Sequence, residues 1–215
     1  MQKDLTELVF ILDKSGSMGG MEADTIGGYN NLLSKQNTVL GQCVITTVLF
    51  DQGTTLLHDR INLQAVAPLS DRDYHVGGST ALLDAVGLTI DKIGNAIKHT
   101  DEAYRPEKVM VVIITDGEEN ASRLYGLGKV RAMIQHQISK YGWEFIFLGA
   151  NIDAIKAASN YGIDPSRAQD YHNDKTGVNL NFEVMSDAIA HVRSAKTMDE
   201  NWKEKIDKDY KNRKQ

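Results

Sequence analysis

Cysteine is nearly absent from this chain. Its 215 residues contain one, Cys43, set in an apolar run. A lone thiol excludes a disulfide framework and fits a reducing compartment. Basic excess is missing too. Lys and Arg number 24 against 29 Asp and Glu, for a net charge of −5. Nucleic acid calls for a basic face, so it is not the expected partner. Long apolar runs are lacking, and none approaches the ~18 residues of a membrane span. The start, Met1-Gln-Lys-Asp-Leu-Thr-Glu7, has neither the basic opening nor the apolar stretch of a secretion signal. A soluble, cytoplasmic protein with no membrane association is therefore expected. There is no repeat and no low-complexity segment. The length suits one α/β domain, which at this size buries about 70% of its unfolded surface.

Short continuous apolar runs stand at intervals: Leu8–Leu12, Val44–Phe50, Val109–Ile114 and Phe145–Leu148. Such runs read as strands buried on both faces. Thr54 to Leu63 follows the second run after only Gln52-Gly53, which predicts an antiparallel hairpin at a sheet edge. Between the strands, apolar residues recur at helical spacing. Leu82, Val86, Ile90, Ile93 and Ile97 form one stripe, and Leu127, Val130, Ile134, Ile138 and Tyr141 another. Ile26, Tyr29 and Leu33 mark a weaker helix, interrupted by Gly27-Gly28 for no reason visible in the sequence. Ile152 to Tyr161 reads as a further helix. Alternating strands and helices predict a mostly parallel open sheet with helices on both faces. Val178, Phe182, Met185, Ile189 and Val192 predict a last helix, and Arg167 to Tyr171 carries a poor strand signal. The chain is read as one domain over 1–198 and a charged, solvated tail over 199–215, where Lys203, Lys205, Lys208, Lys211, Arg213 and Lys214 meet Glu204, Asp207 and Asp209.

Oxygen-bearing side chains gather where the strands end. Asp13, Ser15 and Ser17 follow the first strand as D-x-S-x-S. Asp116 follows the strand at 109–114, and Gly77-Gly-Ser-Thr80 opens a helix. Ligands of open parallel sheets bind beyond the strands' carboxyl ends, where the strand order reverses. If the first strand and the 109–114 strand are neighbours there, Asp13, Asp116 and Thr80 meet at one crevice. An all-oxygen set suits a hard cation such as Mg²⁺. Two carboxylates balance its charge, and three neutral hydroxyls leave it electrophilic toward an outside carboxylate.

These residues carry a resemblance. Asp13-Lys-Ser15-Gly-Ser17-Met, Gly77-Gly-Ser-Thr80 and Thr115-Asp116-Gly117 resemble the three parts of the metal-ion-dependent adhesion site of von Willebrand factor type A domains. The resemblance runs from residue 5 to about 160. It implies a Rossmann-like sheet of about six strands, one an antiparallel edge strand, with helices on both faces. It also implies Mg²⁺, or Mn²⁺ or Ca²⁺, held by Asp13, Ser15, Ser17, Thr80 and Asp116, some through water. The implied partner is a protein whose Asp or Glu side chain completes the coordination. Thr115-Asp-Gly-Glu-Glu-Asn-Ala121 and Phe145-Ile-Phe-Leu-Gly-Ala-Asn-Ile-Asp153 look most similar to compact stand-alone bacterial and phage members. Residues 163–215 match the family poorly.

Plainer readings stand beside this one. Asp13 or Asp116 alone could simply cap a helix. Asp84, Glu118 and Glu119 are read as solvated, and Asn120 as a candidate loop brace. His58, His75 and His172 follow no zinc spacing. Two rival functions are a metal-dependent phosphoryl hydrolase and a family scaffold that uses no metal. The hydrolase wants a second carboxylate two residues after Asp13, where Ser15 stands. A serine hydrolase wants G-x-S-x-G around Ser17, and the sequence has Ser15 two residues before it. Neither a P-loop nor a G-x-G-x-x-G turn is present. A binding protein, not an enzyme, is expected.

Overall fold

In a computed structural model, residues 1–194 and 197–213 are described. The strands are β1 (Gln2–Asp13), β2 (Gln42–Phe50), β3 (Thr54–Asn62), β4 (Pro106–Thr115), β5 (Glu144–Ala150) and β6 (Ala168–Tyr171). The helices are α1 (Glu22–Gln36), α2 (Leu82–Lys98), α3 (Leu127–Tyr141), α4 (Ala154–Tyr161), α5 (Lys175–Arg193) and α6 (Glu204–Asn212). The sheet runs β3-β2-β1-β4-β5-β6. All neighbours are parallel except β2 and β3, which form the antiparallel hairpin at one edge. Among the described residues, no helix is long and apolar enough to cross a membrane.

The unbroken apolar runs have a simple cause: both faces of the sheet are covered. Leu8, Phe10 and Leu12 of β1 pack with Tyr29 of α1 and Phe182 and Met185 of α5. The alternate residues Val9 and Ile11 pack with Leu82, Val86 and Ile90 of α2 and Val130 and Ile134 of α3. β1 and β4 are adjacent, and the connections leave them in opposite directions across the sheet. The reversal of strand order therefore falls between their carboxyl ends.

The fold supplies the missing reason for Gly28. A Cβ there would lie 2.4 Å from Cδ2 of Phe182 and 2.8 Å from its Cγ, so α1 and α5 approach closely only because position 28 has no side chain. Gly28→Ala should push the Phe182 ring out of place and cost about 1–3 kcal/mol by overpacking, read as a lowered urea midpoint. A midpoint unchanged from wild type would mean the helices part at no cost.

Two expectations for the C-terminal region change. The weak signal at 167–171 is a real strand, β6, with only 4 residues, too short for a periodic pattern. The expected solvated tail is also corrected. Trp202 and Ile206 are buried in the same core cluster as Leu8 and Phe10. Trp202 donates its indole N–H to Ser166 O at 3.0 Å, and Lys203 Nζ donates to Ala168 O at 2.6 Å. Four of the charges that suggested solvation instead pair along α6, Glu204 with Lys208 and Asp207 with Lys211. Burying Ile206 contributes about 1.5–3 kcal/mol, enough to dock a short amphipathic helix. Lys214 lies outside the described residues.

Candidate metal centre

Four loops meet at the carboxyl ends of β1 and β4. The loop after β1 turns through a short 3-10 segment at Gly16–Met18. It is stitched to the loop before α2 by Gly16 N–H to Gly78 O, 3.1 Å, and Gly77 N–H to Lys14 O, 2.9 Å. The loop after β4 is tied to the same place. Thr80 N–H donates to Asn120 Oδ1 at 2.9 Å, and Asn120 N–H returns to Thr80 O at 3.0 Å. The expected brace at Asn120 is thus present. The fourth loop joins β6 to α5 and supplies Asn173.

The five residues singled out in the sequence converge. Ser17 Oγ donates to Asp116 Oδ1 at 2.5 Å and stands 3.2 Å from Ser15 Oγ. A Cβ placed on Gly117 would lie 3.0 Å from Thr80 Oγ1 and 3.2 Å from Ser17 Oγ, so those two hydroxyls point at one spot. Asp13 accepts from Ser15 N–H at 2.7 Å and from Thr115 Oγ1 at 2.6 Å. Asp13, Ser15, Thr80 and Asp116 are buried, and Ser17 is exposed, leaving one side open to solvent.

Electrostatically the cluster wants a cation. Burial pushes the Asp13 carboxyl above its ordinary range, against the hydrogen bonds of Thr115 and Ser15. Burial likewise raises Asp116 to about 6, assisted by the charge of Asp13 and opposed by Ser17 and Asn173. Tyr171, wholly buried, has its phenol driven far up by burial and by both carboxylates. The one basic side chain of the first loop, Lys14, is turned away onto Asp51 at 2.5 Å. Two carboxylates therefore share a crevice with hydroxyls, and among the described residues no ion pair reaches either of them. Among the described residues no cluster of three His, Cys, Asp or Glu could hold a metal, so any ion here depends on hydroxyl oxygens. The spacing suits a small hard one. With bonds of about 2.1 Å, neighbouring oxygens around Mg²⁺ stand roughly 3 Å apart. The Ser15–Ser17 and Ser17–Asp116 separations of 3.2 and 2.5 Å bracket that value.

Other residues near the site differ from expectation. Asp84 is not a solvated helix residue. Its carboxylate accepts the backbone N–H groups of Arg123, Leu124 and Tyr125 at 2.8–2.9 Å, holding the loop after β4 against α2. Those bonds lower its pKa despite partial burial. Glu119 is not solvated either. It accepts from Leu83 N–H at 2.8 Å and from Ser122 Oγ at 2.7 Å, capping the start of α2. Glu118 is exposed, as expected. His58 is buried against Thr47 at 3.0 Å, away from the cluster.

Sequence reasoning missed Tyr74, whose hydroxyl donates to Asp13 O, and Asn173, whose Nδ2 donates to Asp116 Oδ2 at 2.7 Å. Asn173 lies in the segment that carried no interpretable pattern. Its only signal was a polar His172-Asn-Asp174 run just past a weak strand.

No protein-family model matches the sequence, and no curated protein matches it. Solved structures do match its fold. A von Willebrand factor type A protein from Catenulispora acidiphila is 15% identical with a TM-score of 0.58, over 86% of this chain and 42% of that one. Proximal thread matrix protein 1 from the mussel byssus, with a zinc-occupied MIDAS motif, is 15% identical with a TM-score of 0.57, over 86% of this chain and 46% of that one. The pilus adhesin SpaC from Lactobacillus rhamnosus GG is 16% identical with a TM-score of 0.63, over 86% of this chain and 30% of that one. This chain spans less than half the length of each. Its fold is that of von Willebrand factor type A domains.

Proposed function

We propose that this chain, folded as a von Willebrand factor type A domain, is a metal-dependent protein-binding module. Asp13, Ser15, Ser17, Thr80 and Asp116 hold one divalent ion, for which Mg²⁺ is the best fit, and the ion captures an Asp or Glu carboxylate of a partner protein. The observation that carries this reading is the convergence of two buried carboxylates and three hydroxyls with no basic side chain among them. The zinc in the mussel byssus protein, on the same fold, supports it. An ion that meets only two negative charges keeps its attraction for a third, and in a shielded crevice that attraction is stronger than in water. Glu118, exposed beside the site, would repel an acidic partner at a distance, so attraction must come from the ion at contact.

No catalytic step is assigned. Asp13, the residue a phosphoryl hydrolase would use as nucleophile, is buried and held by Thr115 and Ser15 N–H. Ser15 cannot supply the acid that such chemistry needs two residues on.

Peptide display against the immobilised domain tests the reading. With Mg²⁺, selected peptides should share an Asp or Glu, and changing it to Asn or Gln should abolish binding. Thr80→Val, nearly equal in volume but without the hydroxyl, should lose at least about tenfold in affinity, with an unchanged circular dichroism spectrum. Peptides held equally in EDTA and by Thr80→Val would place binding on another surface.

A further inference from the structure

The carboxamide of Asn173 is half used. Its Nδ2 donates to Asp116 Oδ2 at 2.7 Å and reaches Ser17 O at 3.4 Å. Its Oδ1 is buried, and no donor reaches it. Buried acceptors are seldom left unpaired, and each one calls for an explanation. The side chain is not loosely placed. Asp174, the next residue, caps α5 by accepting Gly177 N–H at 2.8 Å, and Asp174 N–H donates to His172 O at 2.8 Å. A Cβ on Gly177 would lie 2.1 Å from His172 O, so the loop can fold this tightly onto α5 only with glycine there. From the other side α6 grips the same loop. His172 stacks on Tyr210 with ring centroids 4.7 Å apart, its Nε2 lies 3.1 Å from Tyr210 O, and Arg213 pairs with Asp174. The fold spends two helices on fixing three residues beside the cluster, and only Asn173 among them faces Asp116.

A half-turn of the carboxamide about Cβ–Cγ exchanges nitrogen and oxygen without moving the backbone. Oδ1 would then stand where Nδ2 stands, about 2.7 Å from Asp116 Oδ2. Two oxygens that close repel unless a proton or a cation lies between them. Neighbouring ligands of Mg²⁺ stand roughly 3 Å apart, so a cation is what this spacing suits.

We propose that Asn173 is a further ligand of the ion, presenting Oδ1 to it from the β6–α5 loop. This rests on the five-residue site proposed above. With Asn173 the protein would offer the ion a further neutral oxygen, and a partner's carboxylate would compete with that amide for it.

The test uses the full chain and Mg²⁺ alone. Calorimetry compares wild type, Asn173→Ala, Asn173→Asp and Asp116→Ala, each checked for folding by circular dichroism. Loss of a residue that merely orients a metal's ligands costs about 10–100-fold in affinity, and Asn173→Ala, which removes a ligand, should lose at least that much. Asn173→Asp keeps an oxygen and adds charge but cannot donate, so it should bind at least as tightly as wild type. Unchanged affinity in Asn173→Ala, or a loss in Asn173→Asp equal to that in Asn173→Ala, would overturn the proposal. The amide would then only brace Asp116. Asp116→Ala binding Mg²⁺ as well as wild type would instead refute the underlying five-residue site, whatever Asn173 does.

Discussion

Saturating Mg²⁺ should raise the melting temperature of the wild-type protein by about 5–10 °C and leave that of Asp116→Ala unchanged. A ligand that binds only the folded state stabilises it by about 2.7 kcal/mol at a hundred times its dissociation constant. For a domain of this size each kcal/mol moves the melting point by about 2–4 °C. Asp116 is the residue to remove because its two oxygens meet the other groups of the cluster, Ser17 on one side and Asn173 on the other. The effect should also depend on pH. The folded-state pKa of Asp116 is raised from 3.8 to about 6, by burial first and then by Asp13. The ion needs the carboxylate, so the Mg²⁺-induced shift should shrink as pH falls through about 6. Without ion the sign reverses. The folded state holds a proton that the unfolded state releases, so Asp116's contribution to stability grows as pH drops from 7 toward 4. Thermal melts at pH 7.5 and pH 5, with and without Mg²⁺, measure both trends. Equal Mg²⁺ shifts in wild type and Asp116→Ala would remove the ion from this crevice.

Arg60→Ala should cost about 3–5 kcal/mol, the usual loss when a buried ion pair is deprived of one partner. Glu7 on β1 has no exposed surface, and its carboxylate accepts from Arg60 Nε at 2.9 Å and from Thr46 Oγ1 at 3.4 Å. Arg60 reaches it from the edge strand, where its backbone takes a left-handed φ of 51° and the β2–β3 register shifts. Burial already raises the Glu7 carboxyl above 4.5, and Arg60 is the largest influence holding it down. With Arg60 gone the pKa climbs further. The mutant's deficit should therefore be largest at neutral pH and shrink toward pH 5, because the folded state then gains a proton that neutralises the stranded charge. A Glu7→Gln change in the Arg60→Ala background should restore much of the loss. Urea unfolding at pH 7.5 and 5 provides the numbers. A deficit below about 1 kcal/mol at pH 7.5 would place this pair among exposed salt bridges in energetic terms.

How much of this molecule could be read from its residues varies along the chain. The central strands declare themselves because both faces of the sheet are covered, so β1, β4 and β5 each carry an unbroken apolar run, at 8–12, 109–114 and 145–148. Helices α2 and α3 show clean stripes because each lays one face on the sheet. β6 gives no such signal, since 4 residues are too few to display a period. In and just before α6 the charges outnumber the buried Trp202 and Ile206, and counting charge hides which face is buried. Asp84 and Glu119 mislead for a related reason. Acidic side chains at a helix start or in a loop usually meet water, yet Asp84 at the start of α2 accepts N–H groups of the loop after β4, and Glu119 in that loop accepts the Leu83 N–H of α2.

What the sequence determined by itself was the set of candidate ligands and the fold around them. D-x-S-x-S, the Thr80 turn and Asp116 each follow a strand or open a helix, and local patterning is enough to place such short motifs at element ends. What only the tertiary structure decided was whether they meet and what else stands with them. Asp13 and Asp116 are 103 positions apart and share a crevice because β1 and β4 are neighbours at the strand reversal. Asn173 joins Asp116 across 57 positions. Its place depends on Gly177 letting the chain fold onto α5 and on α6 closing over the loop. Such contacts arise from packing between distant segments, and no local pattern of residues encodes them.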